Sequence, residues 1–126
     1  MRCYFYAEKP GPPEESGDGV VSFCIPELNI TFRARYHGNT AACEYASLLA
    51  LLEFIEINPQ LFKERTVQIF GDSFTVVNQV NNRLYCRKEL EPFCNMARIF
   101  KSKFPYALDW VAKAENPANS PASAEA

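Results

Sequence analysis

Long hydrophobic runs are missing from this 126-residue chain. Its best uncharged apolar stretch, residues 45–52, is closed by Glu44 and Glu53. That is far short of the roughly 18 residues a membrane helix needs, so no membrane partner is expected. The opening residues, MRCY, lack the apolar core of a secretory signal, which makes the cytoplasm the expected compartment. Histidine occurs once, at His37, and the five cysteines (Cys3, Cys24, Cys43, Cys86 and Cys94) form no CxxC pair. An odd set of unclustered cysteines argues against a disulfide framework. Without clustered histidine it also argues against structural zinc, leaving reduced, mostly buried thiols. A large net charge is absent too: 13 basic against 15 acidic residues leave −2. With 48% apolar and 22% charged residues, disordered, collagen-like and coiled-coil readings are disfavoured. The length suits one domain with a real core.

What is there alternates between strand-like and helix-like segments. Residues 2–8 are short and aromatic-rich, as in a strand, and 9–19 are dense in Pro, Gly and acids, as in a loop. Residues 19–26 and 28–36 read as a hairpin closed tightly at Pro26 and Glu27. In its second arm Ile30, Phe32, Ala34 and Tyr36 share one face. Residues 40–57 contain no Pro or Gly and predict a long, deeply packed helix, with Asn39 or Thr40 as N-cap and Asn58-Pro59 as its end. A strand at 66–70, a short helix near 73–80, a second long helix at 88–103 and a strand at 106–112 follow. In that last strand Tyr106, Leu108 and Trp110 share a face. The order predicts one mixed α/β domain over residues 1–114 with helices packed on a sheet, then a flexible Pro, Ala and Ser tail over 115–126.

Two acids stand in informative places. Glu44 falls in what reads as the first turn of the long apolar helix, and Asp72 at the end of a strand just before a helix. A carboxylate amid so much apolar sequence is costly to bury unless a charge, a metal or hydrogen bonds compensate. Each also has a plain structural explanation: Asp72 or Ser73 as a helix cap, Glu44 as a carboxylate facing the helix dipole.

Taken together the segments resemble the ribonuclease H family. The nearest likeness is to its bacterial branch, whose helix carries AEY and whose fourth strand ends in GDSQxVVNQVNG. Here those segments read CEY at residues 43–45 and GDSFTVVNQVNN at residues 71–82. Where that branch ends a later strand in WVPREENxxAD, this chain has WVAKAENPA at residues 110–118. The resemblance spans about residues 2–118. It implies a five-stranded mixed sheet, three antiparallel strands followed by parallel ones. It also implies cleavage of the RNA strand of RNA–DNA hybrids by two Mg²⁺ ions about 4 Å apart. Such ions need several carboxylates, because Mg²⁺ prefers hard oxygen ligands in strict geometry. The family supplies four.

Carried over residue by residue, Glu44 matches the helix acid and Asp72 the fourth-strand acid, which makes these two the candidate catalytic and metal-binding residues. The first-strand acid falls at Tyr6 or Ala7, neither of them acidic, with Glu8 a displaced neighbour. The last acid falls near Ser120, where Pro117 and Pro121 discourage a helix, and Glu115 and Glu125 read as solvated tail charges. The resemblance therefore implies a degenerate ribonuclease H-like domain, weak or inactive as a nuclease, with Mg²⁺ or Mn²⁺ held weakly if at all. A divergent active enzyme using Glu44, Asp72 and Glu8 is the second reading, and a protein-interaction module on the same scaffold the third.

The charge is unevenly spread. Residues 83–103 carry Arg83, Arg87, Lys88, Arg98, Lys101 and Lys103 against Glu89 and Glu91. This gives +4, against −6 for the remainder. A basic segment on an otherwise acidic chain suits phosphate contacts, and an RNA–DNA hybrid is the implied partner. The family's TNN before the helix acid reads Asn39, Thr40 and Ala41 here, so Asn39 and Thr40, with Ser73, join Arg83, Arg87, Lys88, Arg98 and Lys101 as candidate nucleic-acid contacts. Tyr85 and Phe74 offer aromatic faces for stacking, with Phe74 expected in the core. His37 reads as a surface turn residue.

Overall fold

A computed structural model describes residues 1–63 and 66–119. Strands β1 (Arg2–Glu8), β2 (Gly17–Ile25) and β3 (Ile30–Gly38) pair antiparallel in sequence order. Strand β4 (Val67–Gly71) joins the other edge of β1 in parallel, and β5 (Tyr106–Trp110) joins β4 in parallel. The sheet order is β3-β2-β1-β4-β5. Parallel joins need crossovers. Helix α1 (Thr40–Ile57) supplies the first, and α2 (Phe74–Val80) with α3 (Glu91–Lys103) the second. No helix among the described residues is long and apolar enough to cross a membrane.

Strand alternation decides which residues face the helices. Cys3 and Phe5 of β1, Phe23 and Ile25 of β2, Val67 and Ile69 of β4, and Tyr106 and Leu108 of β5 build the main core with the helices. The residues between them, Tyr4, Tyr6 and Cys24, pack on the opposite face with Ala118. Helix α1 lies across the first face because nothing in its 18 residues interrupts it. Asn39 caps it by accepting from the Ala42 N–H at 2.8 Å. Leu48, Leu51 and Leu52 on its inner side are fully buried, each contributing roughly 1.5–3 kcal/mol. All five cysteines are free thiols, and only Cys86 is partly exposed.

Several local expectations change. The β2–β3 link is a 3-10 turn, Pro26–Leu28, closed by Asn29 in the left-handed region, so the hairpin stands but its connection is longer. The expected helix over 88–103 opens as a separate 3-10 turn, Lys88–Leu90, and α3 itself begins at Glu91 with Pro92 in its first turn. The compositional tail is in part packed. The 3-10 turns Lys113–Glu115 and Pro117–Asn119 return to the sheet and bury Asn116 and Ala118. Ser22 Oγ donates to the Ala118 carbonyl at 3.1 Å. Ser120, Pro121 and Glu125 lie outside the described residues.

Candidate functional site

The site is built where β4 ends and its pairing with β1 stops, β1 itself running on to Glu8 beside β2. Their register pairs Phe5 with Gly71, so Tyr6 and Asp72 are the next residues out on adjacent strands. The close approach depends on Gly71: a Cβ there would lie 2.2 Å from Phe5 Cζ. Ser73 then caps α2 by accepting from the Val76 N–H at 3.2 Å, which turns the chain at Asp72. The exposed indole of Trp110 donates from Nε1 to the Asp72 carbonyl at 3.2 Å. One carboxylate oxygen of Asp72, Oδ2, is buried without a hydrogen-bond partner. Burial pushes the Asp72 carboxyl up, while the charge of Lys113, its own backbone N–H and the Asn116 amide offset part of that rise.

Glu44 reaches the same place from α1. It sits in the second turn of the helix, not the first, so the dipole explanation loses force and its position is set by packing. Burial pushes its carboxyl up to about 7; the Ser73 hydroxyl bonded to it opposes the shift and the charge of Asp72 adds to it. Glu44, Ser73 and Asp72 thus form one connected group, and Ser73 serves both as cap and as support for Glu44.

Two further residues, Asn116 and Lys113, complete the surroundings, and sequence reasoning gives neither of them this role. Asn116 is buried, donates to the Phe5 carbonyl at 2.9 Å and accepts from the Ala118 N–H at 3.0 Å, which pins the C-terminal segment beside Asp72. That anchor brings Lys113 over the Tyr6 ring, 5.7 Å from its centroid. The Tyr6 hydroxyl bonded to Lys113 holds the ammonium above its ordinary value, with Glu8 and Asp72 adding their charges. Tyr6 is itself raised, by burial first, with Lys113 acting against the rise. Lys113 and Asn116 stand in WVAKAEN, where the resembling motif has a basic residue and an asparagine. That is the available signal. Glu8 is exposed at the strand end.

This donor set does not fit a pair of divalent ions. Among the described residues no group of three or more His, Cys, Asp or Glu side chains is placed to hold a metal ion. Tyr6 offers a neutral phenol and Lys113 a cation, where two Mg²⁺ ions call for several carboxylates. Asp72 and Glu44 are the two carboxylates that the described residues bring to this place.

The candidate nucleic-acid residues divide. Asn39, Thr40, Glu44, Thr75, Gln79 and Arg87 line one cleft of about 480 Å³. Arg83, Tyr85 and Arg98 line another of about 510 Å³. Lys88 and Lys101 are exposed and line neither. Arg98 stands apart from the other candidate phosphate contacts. It is half-buried, and its Nη2 donates to the Gln79 carbonyl at 2.7 Å. Gln79 in turn accepts from the Tyr45 hydroxyl at 2.6 Å and donates to the Tyr85 carbonyl at 3.2 Å. Lys103 pairs with Glu56 at 2.9 Å. Phe74 corrects the core expectation, being 61% exposed, because Val76, Val77 and Val80 take the buried side of α2. Tyr85 is exposed as well, and His37 pairs with Asp18 at 3.0 Å on the surface.

No protein-family model matches the chain, and no curated protein matches it in sequence. Solved structures match it in fold. The RNase H1 of the halophilic archaeon Halobacterium salinarum is similar with a TM-score of 0.75 at 17% identity, over 98% of this chain and 96% of that one. An RNase H1 isolated from compost by a metagenomic approach gives 0.77 at 15%, over 91% and 86%. The same RNase H1, LC11, in complex with an RNA/DNA hybrid gives 0.75 at 15%, over 92% and 88%. Identities this low carry the architecture alone, and the architecture is plain: the five-stranded mixed sheet with its packed helices is the ribonuclease H fold.

Proposed function

We propose that this chain is a ribonuclease H-like nucleic-acid-binding domain with an incomplete metal site, weak or inactive as a nuclease. The observation that carries the reading is that Tyr6, not an acid, stands one residue beyond the Phe5–Gly71 pair, on the strand next to Asp72. Glu44 and Asp72 are its candidate metal-binding and catalytic residues, and they suffice for no more than one weakly held Mg²⁺ or Mn²⁺. The hybrid-bound LC11 structure supports an RNA–DNA hybrid as the ligand class. Arg83, Arg87, Lys88 and Lys101, all exposed, are the proposed phosphate contacts, with Asn39 and Thr40 at the cleft beside Glu44. Arg98 is assigned to holding the 82–87 loop through Gln79. The free thiols support a reducing, cytoplasmic setting.

Binding of a labelled hybrid, followed by fluorescence anisotropy across a salt series, tests the ligand. Affinity is expected to fall steeply between about 50 and 200 mM salt. Replacing Arg83, Arg87, Lys88 and Lys101 with Ala is expected to cost at least tenfold, the salt slope shrinking by about 0.9 for each phosphate left without its cation. Absent binding, or binding insensitive both to salt and to these substitutions, would remove nucleic acid as the ligand.

The second reading, a divergent active enzyme, has one observation in its favour. The buried, unpartnered Asp72 Oδ2 beside Glu44 has the character of a ligand awaiting a cation.

A further inference from the structure

We infer that the ammonium of Lys113, seated on Tyr6, is the resident cation of the Asp72 site and keeps divalent ions out of it. The inference rests on the incomplete-site reading above and goes further by naming what fills the gap. A buried carboxylate oxygen without a hydrogen-bond partner demands a compensating charge. Asp72 Oδ2 is such an atom, and it lies one register step from Phe5, beside Tyr6. The ring of Tyr6 is buried and its outer surface carries the Lys113 Nζ, 5.7 Å from the centroid. The backbone that carries Lys113 is anchored on both sides of the sheet end. It belongs to the 3-10 turn Lys113–Glu115, whose next residue, Asn116, is tied to the Phe5 carbonyl, and Ala118 is tied to Ser22.

A basic residue at this place also occurs in the resembling motif; what differs in this chain is its partner. With a phenol in place of a first-strand carboxylate, the lysine gains a hydroxyl and a π-face to sit on, and one positive charge covers a site that has lost negative charge. A divalent ion approaching Asp72 and Glu44 then meets a cation already seated on Tyr6, which costs about a factor of ten in affinity at the dielectric of a protein surface.

Mn²⁺ binding to the intact chain, read from the loss of the free-ion electron paramagnetic resonance signal, tests this directly. Lys113→Met keeps the stem over Tyr6 and removes the charge. It is expected to bind Mn²⁺ about tenfold more tightly than the parent chain, and adding Asp72→Asn is expected to abolish the gain. Lys113→Arg preserves the cation and is expected to bind as weakly as the parent. Circular dichroism checks that each variant is folded. Equal Mn²⁺ affinity in the parent and Lys113→Met, or a gain that survives Asp72→Asn, would overturn the inference. Hybrid affinity, measured on the same samples, is scored separately, because the manganese result stands whether or not nucleic acid binds.

Discussion

Glu44→Gln is expected to gain about 3 kcal/mol on the parent chain between pH 4 and pH 9, measured by urea unfolding in the presence of EDTA. Burial raises the Glu44 carboxyl from 4.5 in the unfolded chain to about 7 in the folded one. A folded-state value above the unfolded one means that the folded protein holds its proton more tightly. The stability tied to that proton is therefore fully present below about pH 4.5. It is lost progressively as pH rises and is gone once the pH has passed about 7. At about 1.36 kcal/mol per unit, a shift of this size corresponds to the figure given. Gln is neutral at every pH and nearly isosteric, so the difference between the two chains isolates the titration. Asp72 is also raised by burial and adds a loss of the same sign, common to both chains. A stability difference that stays flat from pH 4 to pH 9 would show that Glu44 is solvated and not part of a buried acid group.

Gly71→Ala carries an expected loss of similar size for a different reason. The added methyl would meet Phe5 at 2.2, 2.3 and 2.7 Å from three ring atoms, and Phe5 is 1% exposed in the main core. A ring packed on all sides cannot yield a full ångström without moving its neighbours. Such overpacking costs typically 1–3 kcal/mol and sometimes more. About 3 kcal/mol is expected, read as a shift in the denaturation midpoint at unchanged slope. Phe5→Leu removes the colliding atoms, so in that background the same Gly71→Ala change is expected to cost less than about 1 kcal/mol. Equal costs in both backgrounds would mean that the glycine serves something other than the ring.

The strands and helices are legible because their cores are written in local periods. The Phe5, Phe23 and Ile69 positions alternate, and α1 runs without a breaker from Thr40 to Ile57. Sequence patterns mislead where a turn or a single contact decides. The first turn of the expected third helix winds tighter than an α-helix just ahead of Pro92, and Asn29 lengthens the hairpin link by adopting a left-handed conformation. Hydrophobicity alone puts Phe74 in the core. In a seven-residue helix, however, three valines already claim the buried side.

The acids are legible as a pair because CEY and GDS are local motifs. Their surroundings are not, since the group joins residues 6, 44, 72, 113 and 116 through contacts that no local pattern encodes. Net charge is the weakest guide. It counts Arg98 with the exposed cations, whereas the Gln79 carbonyl draws that guanidinium inward.

The loss of half a metal site is the central claim, and hybrid cleavage tests it most directly. The parent chain and a Glu44→Gln, Asp72→Asn variant would be incubated side by side with a labelled RNA–DNA hybrid in Mg²⁺ and in Mn²⁺. The expected result is no cleavage by the parent chain, or at most a trace within a single turnover. Efficient multiple-turnover cleavage of the RNA strand that the two substitutions abolish would contradict the account, because Glu44 and Asp72 would then be a full working site.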